Sequence, residues 1–181
     1  MLRQKCPSGL RIGSVLYSAL FHIDDNTGKA TAIIYEEVVR SIRRRPNSSP
    51  DSSPFVRTVT RIEGLTWLTK APASRRGSKL SKTPFEPCWA TYIPEICQKY
   101  FSSTGDLPFG LHTTRLMAIK SALNGLSEDL SWYVKEIAGK GDAGVPEGEH
   151  LEELLREKGE VERCIRLAKT TLTKERNKKK F

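Results

Sequence analysis

The sequence is poor in the residues that build metal centres: four cysteines and three histidines in 181 residues. Cys6, Cys88, Cys97 and Cys164 form no C-x-x-C pair, and His22, His112 and His150 lie far apart. The Cys88–Cys97 interval fits no usual zinc spacing, so neither a metal nor another cofactor is expected. No apolar run reaches the ~18 residues that span a bilayer. No secretory pattern opens the chain, which predicts free thiols in a reducing compartment and an accidental sequon at Asn47-Ser48-Ser49. Catalytic patterns are scarce as well. His112 stands beside Thr113 and Thr114 with nothing adjacent to orient its imidazole, and Thr27-Gly28-Lys29 lacks the rest of a phosphate-binding loop. No catalytic residue is assigned, and the chain reads as a non-enzyme. Apolar residues make up 38% of the sequence. That is low for a chain that is all core, so part of it is expected as solvated arm or loop.

What the sequence has in quantity is segregated charge. It carries 30 basic and 21 acidic residues, net +9. Residues 40–82 hold eleven basic side chains against Asp51 and Glu63, which equals the whole net charge. Residues 128–162 hold eleven acids and four bases, and residues 163–180 eight bases and one acid. Blocks of alternating sign suit a polyanionic partner on the basic segment and a protein, or a second copy, on the acidic one.

Arginine outnumbers lysine eight to three within 40–82. Lysine would serve solubility equally, whereas the guanidinium fork pairs with phosphate bidentately. The candidate anion-binding residues are Arg40, Arg43, Arg44, Arg45, Arg57, Arg61, Arg75, Arg76, Lys79 and Lys82. Trp67 and Trp89 flank the cluster, as base-stacking platforms or as core residues. An RNA and an anionic membrane attract such a cluster equally. Ser49 and Ser53 each precede proline, and Ser78 follows Arg75-Arg76-Gly77. A phosphate on any of them would remove up to about two charges locally. Arg43–Arg45 and the run Lys174, Arg176, Lys178, Lys179, Lys180 have the composition of nuclear-import signals.

The element pattern predicts an α+β fold. It has a small antiparallel sheet with packed helices in the first ~100 residues, then a helical half ending in a long helix. Residues 10–24 read as a strand, followed by a turn at Asp24–Lys29. Residues 31–44 admit a returning strand, but Ile34, Val38 and Ile42 at i, i+4, i+8 favour a helix ended by Pro46. Residues 46–54, with three prolines and four serines, read as a mobile loop, and 71–85 as a second one. Residues 55–70 read as a strand or bent pair, with Arg57 and Arg61 on one face and Gly64 as a bulge. Residues 88–93 read as a short strand, and Pro94 as the start of a brief helix through Tyr100. Thr113 or Thr114 caps a helix, Ser127 a second one ending at Gly139, and the last runs over about 148–176. Its apolar seam, Leu151, Leu154, Val161, Ile165 and Leu172 with Lys158 and Ala168, has the 3-4 spacing of a helix that pairs with another. The seam is the candidate self-association surface of a homo-oligomer. The ending Lys174–Phe181 is expected to be unfolded. The chain thus divides into a basic α+β core, 1–110, and a helical region with a basic tail, 111–181.

The order LYSALFHID, IIYEEVVRSI, a Ser/Pro loop and FVRTVTRIEGLTWL, with this length and charge, resembles in outline the matrix proteins of plant-infecting rhabdoviruses. The similarity covers about residues 14–100 and rests on no short motif, and the budding peptides P-P-x-Y and P-[ST]-A-P are absent. The resemblance implies a structural adaptor that condenses ribonucleoprotein, docks it on lipid and self-associates, located in the virion and in the host nucleus or cytoplasm. Two other readings suit the same charges. One is a cellular RNA-binding module, ribosomal or RNA-processing. The other is a viral regulator of host defence, working through protein contacts.

Overall fold

The computed structural model describes residues 4–44, 49, 52–61, 66–67, 87–88, 98–141 and 144–178, with backbone alone at 66–67, 87–88 and 98. Six strands precede two helices: β1 (Val15–Ile23), β2 (Ala30–Arg43), β3 (Phe55–Thr60), β4 (Thr66–Trp67), β5 (Pro87–Cys88), β6 (Gln98–Ser102), α1 (Arg115–Ile137) and α2 (Gly148–Lys178). The main sheet has the order β1-β2-β3-β6, with β3 antiparallel to both of its neighbours, while β4 and β5 pair in parallel. The α+β class is therefore what the molecule has.

Residues 30–43, read above as a helix, are the longest strand. The i, i+4 stripe is real, but Thr31, Ile33, Val38, Val39 and Ile42 are β-branched, and branched side chains fit a pleated surface better than a helix turn. The consecutive residues Glu37, Val38 and Val39 are all buried. A strand covered on both faces loses the polar–apolar alternation that would have identified it. Gln98–Tyr100, expected as the end of a brief helix, begin strand β6 instead. Among the described residues no helix precedes Arg115. The bulge at Gly64, the loop 71–85, the remainder of the 88–93 strand and a helix start at Pro94 lie outside the described residues.

The β1–β2 turn forms as expected. Asp24 Oδ1 accepts from the backbone N–H groups of Asn26 and Thr27, and Gly28 takes φ +63°. A side chain that bonds its own backbone two residues on, followed by a residue free to adopt left-handed geometry, closes such a turn locally. Thr114 caps α1, its Oγ1 accepting from Met117 N at 3.2 Å. The second cap expected at Ser127 does not exist, because α1 runs through it and the Ser127 hydroxyl donates back to the Leu123 carbonyl. Helix α1 ends just before Gly139, whose positive φ suits the position after a helix C-terminus. Helix α2 continues through Lys178, so Lys174–Lys178 are helical and not the unfolded tail expected.

The chain forms two compact units, and the strands β1 and β2 contribute to both. One unit is built on the described residues of 2–18 and 35–113. Its core is Leu16, Val39, Val56, Phe101, Leu107 and Leu111. The other is Ala19–Ile34 with the two helices, cored by Phe21, Ile119, Cys164, Ala168 and Leu172. The units divide at Thr113/Thr114, and the tip of the β1–β2 hairpin belongs with the helices.

Candidate anion-binding surface

Strand register decides where the arginines go. In the pairing of β2 with β3, Val39 faces Thr58 and Ser41 faces Arg57, so Arg40 is an extra residue at a bulge. A bulge shifts the alternation by one residue, exchanging the two faces of everything beyond it. Past this one, Ile42 pairs with Val56 and packs on the core with it, and Arg43 pairs with Phe55 on the other face. Arg57 and Arg61 share that other face, as the alternation of β3 requires. Arg40 lies close enough for the Arg57 charge to act on it. Partial burial, first, and then the Arg57 charge push the Arg40 guanidinium below its ordinary pKa. Arg43 and Arg44 are exposed. Four arginines from 40–61 thus share a face, with Arg44 just past the strand end.

The face is not an open plane of charge. Val38 and Val59 face each other on it and are buried, so the arginines border a covered apolar strip. Arg61 is paired with the Glu36 carboxylate and is thereby partly neutralised. The opposite face carries a second charged group. Glu37, 1% exposed, takes Lys99 Nζ at 2.9 Å and accepts from Thr60 Oγ1 at 3.0 Å and Thr58 Oγ1 at 3.3 Å. Four donors and acceptors that meet across three strands give a buried carboxylate the partners it requires.

Tyr100 is the residue that reading the sequence missed. It is the β6 neighbour of Arg57 and 62% exposed, placing an aromatic ring at the arginine border. Its signal was the alternation of Gln98–Ser102, hidden by the proline that suggested a helix. Phe109, in the turn before Leu111, is 69% exposed in the same unit.

Of the other expected residues, Arg45, Arg75, Arg76, Lys79, Lys82, Ser78 and Trp89 lie outside the described residues, as do Lys179 and Lys180. Trp67 is described only as backbone of β4. Ser49 is exposed, but Ser53 is half-buried with its hydroxyl hydrogen-bonded to Thr104 Oγ1. Lys174, Arg176 and Lys178 stand exposed on the last turns of α2. The seam proposed for self-association is turned inward. Leu154, Ile165 and Leu172 are buried within the chain, and α2 packs on α1 of the same molecule. The 3-4 pattern correctly announced a paired helix, but the partner is internal.

His112 is buried, and its ring nitrogens have no hydrogen-bond partner among the described residues. Burial depresses its pKa, so the imidazole is neutral at pH 7. Its backbone exchanges two hydrogen bonds with Tyr17, which makes it a sheet-edge residue in the core. The thiols of Cys6 and Cys164 are free, and burial pushes both pKa values up. No family model, curated protein or solved structure matches this chain.

Proposed function

We propose that this chain is a non-enzymatic, matrix-like adaptor that holds RNA or ribonucleoprotein, and an anionic membrane, against its arginine face. The observation that carries the reading is the bulge at Arg40. It sets Arg40, Arg43 and Arg57 on one face, although like charges repel and a partly buried guanidinium loses hydration. Three guanidinium groups gathered on one face are suited to an anion, because each fork can pair with phosphate oxygens bidentately. Among the described residues no helix is long and apolar enough to cross a membrane. Lipid contact in this reading is peripheral, through the arginines and the exposed Phe109. Self-association belongs to the same proposal and uses surface other than the 151–172 seam. Lys174, Arg176 and Lys178 would serve nuclear entry.

The exposed Tyr100 beside Arg57 favours a second reading, a cellular RNA-binding module in which the ring stacks on a base. One experiment separates the readings. The wild type and Arg40→Gln/Arg43→Gln/Arg44→Gln/Arg57→Gln are sedimented with single-stranded RNA, and separately with phosphatidylserine vesicles, over a salt series. Wild-type binding to both is expected, with the variant at least tenfold weaker. Binding of RNA alone favours the module. Equal binding by the variant sinks the arginine face, and binding to neither ligand leaves a regulator that acts through protein contacts.

A further inference from the structure

The unit that contains the helices has a groove of its own, of about 220 Å³, with an apolar floor and a negatively charged wall. Phe21, Leu126 and Val161 line the floor, and Tyr133, Glu157 and Glu160 the wall. The Tyr133 hydroxyl donates to the Glu157 carboxylate. Desolvation is the largest cause that raises the phenol pKa. The Glu157 bond and the charges of Glu157, Asp129 and Glu160 add to it. Glu160 sits 4.0 Å from Arg156, a loose pair, while Glu157 has no cationic partner among the described residues. Trp132, half exposed, meets Tyr133 edge-on with ring centroids 4.9 Å apart. A tyrosine ring beside carboxylates, over an apolar floor, is complementary to a cation on an aliphatic stem, and Trp132 stands against that ring as a reporter.

We infer that this groove binds a lysine or arginine side chain of a basic peptide segment on a partner protein. The stem lies on Phe21, Leu126 and Val161, and the head group reaches Glu157 and Glu160. The wall residues Tyr133, Glu157 and Glu160 come from the most acidic part of the chain, residues 128–162, so the local field also draws a basic segment in. The arginine face takes no part in this site, and the two inferences stand or fall separately.

The test uses the full chain and N-acetyl-tetralysine amide as probe, followed by the indole N–H signal of Trp132 in NMR titration. Tetraglutamate and spermidine are the comparison arms. Tetralysine is expected to shift the Trp132 signal saturably, and tetraglutamate to leave it still. Glu157→Gln/Glu160→Gln should weaken tetralysine binding about tenfold, the effect of losing two partly solvated ion pairs. Val161→Phe fills the floor with both charges kept and should weaken binding as well. Circular dichroism checks that each variant is folded. Unchanged tetralysine binding in both variants overturns the groove. Tighter binding of spermidine than of tetralysine overturns the peptide in favour of a free polyamine.

Discussion

Two side chains of this protein hold charge-sensitive positions in the core, and each has a measurable consequence. Glu37 is almost wholly buried, while its partner Lys99 keeps 36% of its side chain in solvent. The pair is therefore asymmetric. Lys99→Met strands a buried carboxylate and should cost about 3 kcal/mol in urea denaturation, the low end for breaking a buried pair because water reaches one end of it. Glu37→Gln should cost less, since Lys99 can turn to water and the amide still accepts from Thr58 or Thr60. A larger loss for Glu37→Gln than for Lys99→Met would contradict this picture. His112 sets a pH dependence of definite sign. Its folded pKa lies below the ordinary 6.5. Above 6.5 both folded and unfolded imidazoles are neutral, and the group contributes nothing. Below 6.5 the unfolded chain takes up a proton that the folded chain refuses, so stability falls as pH falls, by up to about 1.4 kcal/mol per pH unit. Urea midpoints between pH 7.5 and 5.5 should show the decline, and His112→Phe should flatten it.

At the scale of the element, β2 carries the lesson. Its apolar residues recur at helical spacing, yet it is a fourteen-residue strand buried on both faces at its centre. Periodicity distinguishes helix from strand only when one face is wet, and here Val38 and Val39, on opposite faces, are both buried. The bulge at Arg40 was equally invisible, because it exists only in register with Thr58 and Arg57. Alternation alone would place Arg43 on the core face and Ile42 on the arginine face. Local signals with local causes were legible. The Asp24–Gly28 turn, the Thr114 cap, the Gly139 stop and the start of α2 all rest on hydrogen bonds or dihedrals within a few residues, and the alternation of β3 is itself a local pattern. The Thr114 cap gives a direct test. Thr114→Ala removes the acceptor of Met117 N–H and should lower stability by about 1 kcal/mol, with Thr114→Ser near wild type. Equal losses for Ala and Ser would show that the hydroxyl bond contributes nothing.

For the molecule as a whole, charge and topology act together. The strands β1 and β2 enter two cores, with Leu16 and Val39 in one and Phe21 and Ile34 in the other. The arginine face belongs to the first of these units and the acidic groove to the second. The helical unit holds both the acidic block 128–162 and most of the basic block 163–180, so opposite charges are also segregated along its last helix. If four arginines neutralise RNA phosphates, log K should fall with log salt at a slope of about −3 for single strands. The quadruple glutamine variant described above should then show a slope near zero.

Amino-acid order by itself determined the α+β class, the helical C-terminal half, the Asp24–Gly28 turn, the Thr114 cap and the separation of positive from negative blocks. Each of these follows from composition or from interactions spanning a few residues. Only the tertiary structure decided that residues 30–43 are a strand and that the α2 seam faces inward. It alone decided that Arg43 shares a face with Arg57 while Arg61 answers to Glu36. Those outcomes depend on which distant segment covers a side chain and on a one-residue shift in strand pairing, and neither is encoded in any short window of sequence.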